Sequence, residues 1–533
     1  MGGRAALLAS LLVAVYTCVM AELLPIVELP ITNELIAPDN IQRMATLAGG
    51  TYPGKAIFGN KGDTFRVNVV NQLHDPSMWQ STTVHWHGIK QVGTFYEDGA
   101  AWITQCPIAA NHSFMYEFPV PDQAGTFWYH SHFSTQLCDG LRGPFIVYDP
   151  DDPLKHLYDV DDESTIISLS DWYHSPSRGA LKPMEIPPLP DSILINGKGR
   201  YPGTGWGLAA NLSIVNVEYG KRYRLRIIQM ACDADMIFSI DGHAFDIIEV
   251  EGTPTRPLTV DRLHIFSGQR YSAVLHANQP PDNYYIRALP FPGRVLTWNY
   301  ERGANSAILR YKGALDREPS AISDEGQISS TRPFREKDLV PLDPIPVPGN
   351  PYPGGADVNI NLVLDLDIHT GKYLQNGVTY VPPKAPVLLQ ILSGAKSAQE
   401  LLPSESVYTL PLNKVVEVTI PGTSVDYGGP HPWHLHGHTF WVVRSAGTNA
   451  TNYVDPIRRD TVDTGYGRDN ITIRFVTDNS GPWFLHCHVD WHLELGMAVV
   501  FAEEPSLIAE KAPPTGWDEL CPIYNSLTPD QLR

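Results

Sequence analysis

Long apolar runs are missing from the chain after its first two dozen residues. A membrane-spanning helix needs about 20 such residues, so the pattern argues against a helical membrane protein. The opening stretch, MGGRAALLASLLVAVYTCVMAELLP, has one basic residue, a short apolar core and the small Ala21. It predicts a secretory signal peptide over residues 1–21; a membrane anchor, the alternative, would need a longer run. We therefore expect a secreted, extracellular protein with no membrane partner.

Basic residues are also scarce. The 39 lysines and arginines face 58 aspartates and glutamates, which leaves a net charge of -19. A surface this acidic repels phosphate backbones, so we expect no nucleic-acid partner. We expect a monomer. Four Asn-x-Ser/Thr sequons suit a secreted glycoprotein, and they lie at Asn111, Asn211, Asn449 and Asn470.

No long amphipathic helical pattern is present, whereas the strand-like runs are short and the chain holds 43 glycines and 46 prolines. This pattern predicts an all-β protein. A chain of 533 residues is too long for one core. The proline-rich stretch Pro341–Gly355 is expected to be a surface connection. We predict three consecutive domains after the signal peptide, over residues 22–150, 151–315 and 316–533.

Cysteine is rare, with six in the chain, one of them inside the predicted signal peptide. The other five are Cys106, Cys138, Cys232, Cys487 and Cys521. An odd number in an oxidising compartment predicts two disulfides and one thiol with another role. Cys487 lies between two histidines, so it is the candidate for that other role.

The stretch GPWFLHCHVDWHLELGM (Gly481–Met497) places the cysteine on a predicted strand. Residues two apart on a strand share a face, so His486 and His488 point the same way, about 6.6 Å apart along the strand. Cys487 points to the opposite face. One metal ion would not reach all three side chains, and the pattern predicts two centres joined through one backbone.

An internal repeat accounts for most of the histidines. GTFWYHSH (Gly125–His132) matches GPWFLHCH (Gly481–His488), and HWHG (His85–Gly88) matches HLHG (His434–Gly437). The first and last domains are therefore predicted to be copies of one β domain. Eight imidazoles suit three metal ions held between these two domains. They belong to His85, His87, His130, His132, His434, His436, His486 and His488.

The opposite face of the Cys487 strand has its own candidate donors. His492 follows five residues later, His431 lies in the same domain, and Met497 comes ten residues after the cysteine. Two histidines, a thiolate and a weak axial thioether form a blue-copper site. The alternative for Met497 is simple core packing. The first domain has Ser131 at the position of Cys487 and so lacks this set.

Together these residues resemble the multicopper oxidases, and most closely the fungal laccases. The matching motifs are HWHG, QCPI, GTFWYHSH, CDGLRGPFIVYDP, HPWHLHGHTF and GPWFLHCHVDWHLELG, which span nearly the whole mature chain. The resemblance implies three cupredoxin-like domains and four copper ions, one type 1, one type 2 and two type 3. It also implies that small phenolic or aromatic substrates are oxidised while dioxygen is reduced to water.

The resemblance assigns each donor by its motif. The implied ligands are His431, Cys487 and His492 for type 1, His85 and His434 for type 2, His87, His130 and His488 for one type 3 copper, and His132, His436 and His486 for the other. It pairs Cys106 with Cys521 and Cys138 with Cys232. It also implies that Cys487 receives an electron and that its two neighbouring histidines pass it to the type 3 coppers.

Four acidic residues and one histidine complete the predicted chemistry. Asp98 in YEDG and Asp490 match the family's acids near the trinuclear site, which supply protons. The alternatives are an exposed turn for Asp98 and a helix cap for Asp490. Asp233 in ACDAD matches the acid that receives a phenol proton, although the nearby Asp235 leaves that assignment open. His492 is the implied electron entry point.

Two departures from the family pattern are expected to matter differently. Tyr96 replaces a tryptophan, which we expect to be tolerated. Met497 stands where many fungal laccases have Leu or Phe, which argues against a high redox potential.

A ferroxidase of the same superfamily is the main alternative function, with Glu185 as a possible ion-binding acid. A non-enzymatic electron carrier or copper-storage protein would not need the eight additional histidines.

Overall fold

The computed structural model describes most of the chain beyond the predicted signal peptide. The described residues are 24–181, 187–201, 203, 210–233, 235–290, 303–319, 330–394, 406–424, 428–528 and 531. The signal peptide and Glu185 lie outside them. Strands dominate the described residues, so the all-β prediction is confirmed. No helix among them is long and apolar enough to cross a membrane.

The first domain consists of two four-stranded sheets, in the orders β2-β1-β4-β6 and β3-β8-β7-β5. Its strands are β1 Val27–Ile36, β2 Arg43–Ala48, β3 Ile57–Asn60, β4 Thr64–Asn71, β5 Val84–His87, β6 Ser113–Pro119, β7 Gly125–Ser131 and β8 Arg142–Tyr148. Alternate side chains of β4 are buried, because one face of the strand packs on the core and the other faces solvent.

The middle domain has a seven-stranded sheet, β11-β10-β9-β13-β18-β15-β16, and a five-stranded sheet, β12-β20-β19-β14-β17. Its strands are β9 Ile166–Trp172, β10 Ser192–Ile195, β11 Lys198–Gly199, β12 Ile214–Val217, β13 Arg222–Gln229, β14 Met236–Ile240, β15 Phe245–Val250, β16 Thr253–Val260, β17 Leu263–Ile265, β18 Arg270–His276, β19 Asn283–Pro290 and β20 Ser306–Tyr311.

The last domain has two five-stranded sheets, β21-β25-β30-β27-β28 and β24-β32-β31-β26-β29, and a separate hairpin, β22-β23. Its strands are β21 Val358–Asn361, β22 Leu364–Asp367, β23 Lys372–Gln375, β24 Val407–Leu410, β25 Val415–Pro421, β26 Pro432–Leu435, β27 Phe440–Arg444, β28 Arg458–Arg459, β29 Thr461–Asp463, β30 Asn470–Val476, β31 Gly481–Cys487 and β32 Ala498–Glu503.

Helices are few and short in the part of the chain that the structure describes. The α-helices are α1 Val387–Leu392, α2 Asp490–Glu494, α3 Pro505–Ile508 and α4 Trp517–Asn525, and 3-10 turns span Phe95–Glu97, Gln136–Asp139, Lys155–Leu157, Glu163–Thr165 and Glu336–Asp338. Helix α4 returns to the first domain, where Trp517 Nε1 donates to the Thr104 carbonyl at 2.9 Å. The stretch Pro341–Gly355 is mostly exposed, as expected for a surface connection.

The first and last domains share one topology. In the first, β3 runs parallel to β8, which continues through β7 to β5. In the last, β24 runs parallel to β32, which continues through β31 to β26. The repeated histidine motifs lie on equivalent strands of the two sheets, so the internal repeat read from the sequence is a repeat in structure.

Candidate metal centres

Two antiparallel strand pairs carry the histidines. Strand β5 pairs with β7 so that His85 lies opposite His130, and β26 pairs with β31 so that His434 lies opposite His486. Every position on these four strands is buried. The strand period of two therefore projects each His-x-His pair from one face into the contact between the two domains.

All eight imidazoles meet at that contact. In each of three groups the ring nitrogens lie within 4.8 Å of one another: His85, His87 and His434; His87, His130 and His488; and His132, His436 and His486. The rings of His87 and His434 stack with centroids 3.7 Å apart, and those of His85 and His436 with centroids 3.9 Å apart. Each domain supplies four imidazoles to the cluster.

Burial keeps most of these imidazoles neutral. It lowers the pKa values of His130, His436 and His486 well below the usual range, and the neighbouring histidines lower them further. A neutral imidazole keeps one nitrogen lone pair free to bind a cation. His130 Nε2 is buried and has no hydrogen-bond partner among the described residues. Lone pairs facing one another at this density suit bound metal ions.

Asp98 orients two of the imidazoles through their outer nitrogens. His436 Nδ1 lies 2.8 Å from Asp98 Oδ2, and His85 Nδ1 lies 2.7 Å from the Asp98 carbonyl oxygen. These contacts leave Nε2 of each ring facing the centre of the cluster. Asp98 itself is fully buried, so it is not part of an exposed turn.

Sequence reasoning missed a second acid, Asp460. Its carboxylate lies 3.1 Å from His87 Nε2, and Arg270 of the middle domain donates to both carboxylate oxygens at 2.7 and 2.6 Å. Although burial raises the pKa of Asp460, Arg270 holds it well below the usual range. Glu251 accepts the Asp460 N–H at 2.8 Å and pairs with Arg459. The only sequence signal was the run of charged residues Arg458, Arg459 and Asp460.

A second cluster lies on the other face of β31. His431 Nδ1 and His492 Nδ1 lie 3.2 Å apart, and each is 3.6 Å from Cys487 Sγ. Cys487 is buried and forms no disulfide. The outer nitrogen of His431, Nε2, lies 2.8 Å from Thr423 Oγ1. Met497 is fully buried, and its backbone bonds to the carbonyl of His492 and to the N–H of Cys487.

Strand parity separates the two clusters as the sequence predicted. His486 Nε2 lies 3.3 Å from His132 Nε2, and His488 Nε2 lies 3.1 Å from His87 Nδ1. Cys487, between them, turns to the opposite face. The two clusters are therefore connected by a single stretch of backbone three residues long.

Two disulfides are present, Cys106–Cys521 and Cys138–Cys232, with Cα atoms 5.0 and 5.1 Å apart. They are the pairs that the resemblance implied. Asp490 begins α2 and donates its N–H to the Cys232 carbonyl at 2.8 Å. Burial raises the pKa of Asp490 well above its usual range. This contact holds the turn after Cys232 against the helix that carries the His492 donor.

The two aspartates of ACDAD have different partners. Asp233 is buried, and its N–H donates to Asp171 Oδ2 at 2.8 Å. The Asp235 carboxylate lies 2.6 Å from His264 Nε2. Asp235 thus contacts a histidine on strand β17. Asp233 directly follows Cys232, the cysteine that contacts α2.

The remaining predicted positions lie outside both clusters. Tyr96 is buried, and its hydroxyl donates to the Lys511 carbonyl at 2.8 Å. The hydroxyl of this core residue is therefore hydrogen-bonded. Three sequon asparagines are exposed: Asn111, Asn211 and Asn449. Asn470 begins a strand, and its Oδ1 is buried without a hydrogen-bond partner among the described residues.

Comparison with known proteins gives a consistent result. Sequence profiles of the multicopper oxidases match residues 31–152, 163–314 and 380–506. Laccase-2 of Pleurotus ostreatus is 54% identical, with 93% of this chain and 92% of that protein covered. Laccase-5 of Trametes villosa is 54% identical, with 95% of each covered.

The solved structure of the laccase from Botrytis aclada superposes with a TM-score of 0.81. It is 30% identical and covers 96% of this chain and 94% of its own. Profiles, relatives and fold agree with the two buried donor clusters. The chain therefore belongs to the multicopper oxidase family, among the fungal laccases.

Proposed function

We propose that the protein is a secreted, monomeric laccase that oxidises phenolic and other aromatic substrates and reduces dioxygen to two waters. Strand β31 is the observation that carries this proposal. It supplies Cys487 to one donor cluster and His486 and His488 to the other. An electron carrier needs only the cluster that contains Cys487, and an oxygen carrier needs only the cluster of eight histidines.

The proposed copper sites follow the donor groups. The type 1 copper takes His431, Cys487 and His492; the type 2 copper takes His85 and His434; one type 3 copper takes His87, His130 and His488; and the other takes His132, His436 and His486. Four bound coppers would supply one-electron redox chemistry, through which single electrons from the reducing substrate could be combined for the four-electron reduction of dioxygen. The chain fixes their positions through the outer nitrogens of the imidazoles.

Reduction of dioxygen to water consumes four protons, which must reach a buried cluster. We assign proton delivery to Asp98 and Asp490. Asp98 hydrogen-bonds His436 directly, and Asp490 comes two residues after His488. Burial raises the pKa of the Asp490 carboxyl well above its usual range, which suits a group that holds a proton for delivery.

A phenol gives up a proton along with its electron. We assign Asp233 as the acceptor, because it is buried and directly follows Cys232, whose carbonyl accepts the N–H of Asp490 at the start of α2. Cluster geometry directs His492 Nδ1 toward Cys487, so Nε2 is the outward edge of the ring. The phenol oxygen would meet the protein between this edge and Asp233.

The ferroxidase alternative gains no support from the described residues. Glu185, its possible ion-binding acid, lies outside them, and the two relatives compared above, each 54% identical, are named laccases. Secretion is supported by the signal sequence. The three exposed sequon asparagines are the proposed glycosylation sites, whereas Asn470 is only partly exposed and its Oδ1 atom is buried.

The test is a copper count, a spectrum and a substrate comparison on protein purified from culture medium. We expect about four coppers, an intense blue thiolate band and one dioxygen consumed for every four phenols oxidised. Ferrous ion serves as the competing substrate. Rapid ferrous oxidation without phenol oxidation would overturn the proposal, as would a blue protein that consumes no oxygen.

A further inference from the structure

His174 lies where the first and middle domains meet, two residues beyond the end of β9. Its Nε2 atom is 2.7 Å from Asp39 Oδ2 of the first domain, and its Nδ1 atom is 3.6 Å from Asp191 Oδ1 of the middle domain. The backbone N–H of His174 also donates to Asp191 Oδ2 at 2.8 Å. One imidazole is therefore held between carboxylates that come from two domains.

Asp39 lies between β1 and β2 and is fully buried. Its Oδ2 atom accepts a second hydrogen bond, from Ser192 Oγ at 2.7 Å, and its Oδ1 atom accepts the Ile41 N–H at 3.2 Å. A buried carboxylate is costly unless donors and an opposite charge compensate it. Of the groups that hydrogen-bond Asp39, only His174 can carry a positive charge.

The other titratable and charged groups around His174 are Arg43 and Tyr201. Arg43 of β2 donates to the backbone carbonyls on either side of His174, and its guanidinium pairs with Asp139 at 2.6 Å. The Tyr201 ring lies edge-on to the His174 ring, with centroids 4.6 Å apart. The two carboxylates are therefore the groups that favour a charged imidazole here.

Both ring nitrogens of His174 face acceptors, an arrangement that only the protonated ring satisfies. Burial alone would lower the pKa of His174, but the hydrogen bond and charge of Asp39, with the charge of Asp191, raise it above its usual 6.5, although the charge of Arg43 opposes them. With a raised pKa in the folded protein, the stabilisation is fully present below pH 6.5 and is lost as the pH rises through the folded value.

We propose that His174 is a pH-sensitive clamp between the first and middle domains, closed while its imidazole is protonated and open once the proton has left for the solvent. The Cys138–Cys232 disulfide joins the same two domains, so opening loosens their contact without separating them. The segments that loosen are the loop that carries Asp39 and the turn after β9. None of the clamp residues belongs to a donor cluster, so the clamp acts independently of the proposed copper sites.

Hydrogen–deuterium exchange of the copper-loaded protein tests the clamp, measured by mass spectrometry between pH 5 and 9 and corrected for the intrinsic pH dependence of exchange. In the parent, residues 38–43 and 173–177 should be protected below about pH 6.5 and should lose protection above it. In His174→Gln they should exchange about tenfold faster at pH 5.5, the scale of a lost charged hydrogen bond, and should change little as the pH rises. His156→Gln is the matched control, because His156 is an exposed histidine of the same domain whose Nδ1 contacts a backbone carbonyl.

A proton titration of His174 is the second measurement. In the fully reduced protein, whose cuprous ions are diamagnetic, the histidine NMR signal that is missing from His174→Gln should titrate with a midpoint above 6.5. Asp191→Asn keeps an acceptor for the His174 N–H but removes one charge, so it should lower this midpoint, and the signal that it shifts identifies His174 even if His174→Gln does not fold. Exchange of residues 38–43 that does not depend on pH in the parent, or a midpoint at or below 6.5, would overturn the proposal.

Discussion

Cys487 is a residue with two structural duties. Its side chain completes the mononuclear donor set of His431, Cys487 and His492. Its backbone holds the imidazoles on either side of it in the cluster of eight histidines. The carbonyl of Cys487 also accepts a hydrogen bond from His486 Nδ1 at 3.0 Å, which fixes the orientation of that ring. Changes at this residue therefore test the mononuclear site without removing any imidazole.

Replacing Cys487 by serine should remove the blue band and reduce turnover below detection. Serine is smaller and is a poor copper ligand, yet it keeps the strand, so the protein should still fold and be secreted, at a cost of about 1–3 kcal/mol for the buried hydroxyl. Absorption and circular dichroism spectra check the two outcomes. A blue Cys487→Ser protein would contradict the assignment.

Asp233→Asn should slow phenol oxidation roughly hundredfold, the scale of a lost general base. The amide cannot accept the proton that a phenol releases. Oxidation of ferrocyanide, which loses an electron and no proton, should proceed at the parent rate. Steady-state kinetics with both donors measures the contrast, and Asp235→Asn is the control. Equal slowing of the two donors would mean that Asp233 is structural.

Met497→Leu should raise the reduction potential of the blue copper. A thioether stabilises the electron-poor cupric state more than the cuprous state, so its loss favours reduction. The exchange conserves volume and should cost less than about 1.5 kcal/mol of stability. Redox titration of the blue band in both proteins gives the result. A potential that does not rise would identify Met497 as a core residue only.

At the scale of elements, the strand was the most predictable unit. The alternating side-chain direction along β31 was predictable from the sequence, because it depends only on the local backbone. The contacts of Asp460 and Arg270 were not foreseeable, because they join segments far apart in the chain and depend on how the sheets dock. The repeat identified the eight imidazoles, but the acid that positions His87 has no motif around it.

Strand β15 offers a test of acid sensitivity through Glu249. Burial alone would raise the pKa of Glu249, but the charges of Arg224 and Arg226 hold it at about 2, below its ordinary value of 4.5. A lowered pKa in the folded protein stabilises it above pH 4.5, and the stabilisation is lost as the pH falls toward 2. Glu249 also accepts the N–H of Thr126 on β7, so the effect reaches a histidine-bearing strand.

Glu249→Gln should therefore be less stable than the parent by about 3 kcal/mol at pH 6, and the difference should shrink as the pH falls from about 5 to 2. Urea unfolding of the metal-free proteins across this range measures it. The comparison cancels the titration of the histidines, which both proteins share. A difference that stays constant down to pH 2 would contradict the prediction.

At the scale of the whole molecule, all three domains contribute residues that form or position the cluster of eight histidines. The first and last supply its imidazoles, and the middle domain supplies Arg270 and Ser267, whose Oγ lies 3.2 Å from His488 Nδ1. A domain without a single proposed ligand thus still positions ligands. The Cys106–Cys521 disulfide adds a covalent link between the first domain and the end of the chain.

Removing that link with Cys106→Ser and Cys521→Ser together should lower stability by about 2–5 kcal/mol. Helix α4 and the segment around Lys511 would then hold less firmly to the first domain, where Asp98 lies. The protein should lose copper from the trinuclear cluster on mild heating while the blue band persists. Copper analysis after heating, beside the blue absorbance, checks this. Simultaneous loss of all copper would count against it.

The placement of donors implies an order in which the protein acquires its metal. His431, Cys487 and His492 all belong to the last domain, so their site is complete once that domain has folded. The eight imidazoles exist as a site only after the first and last domains have docked against the middle one. Copper binding should therefore follow folding in two stages. A chain whose last domain has folded but has not docked against the other two should show the blue band and should not reduce oxygen.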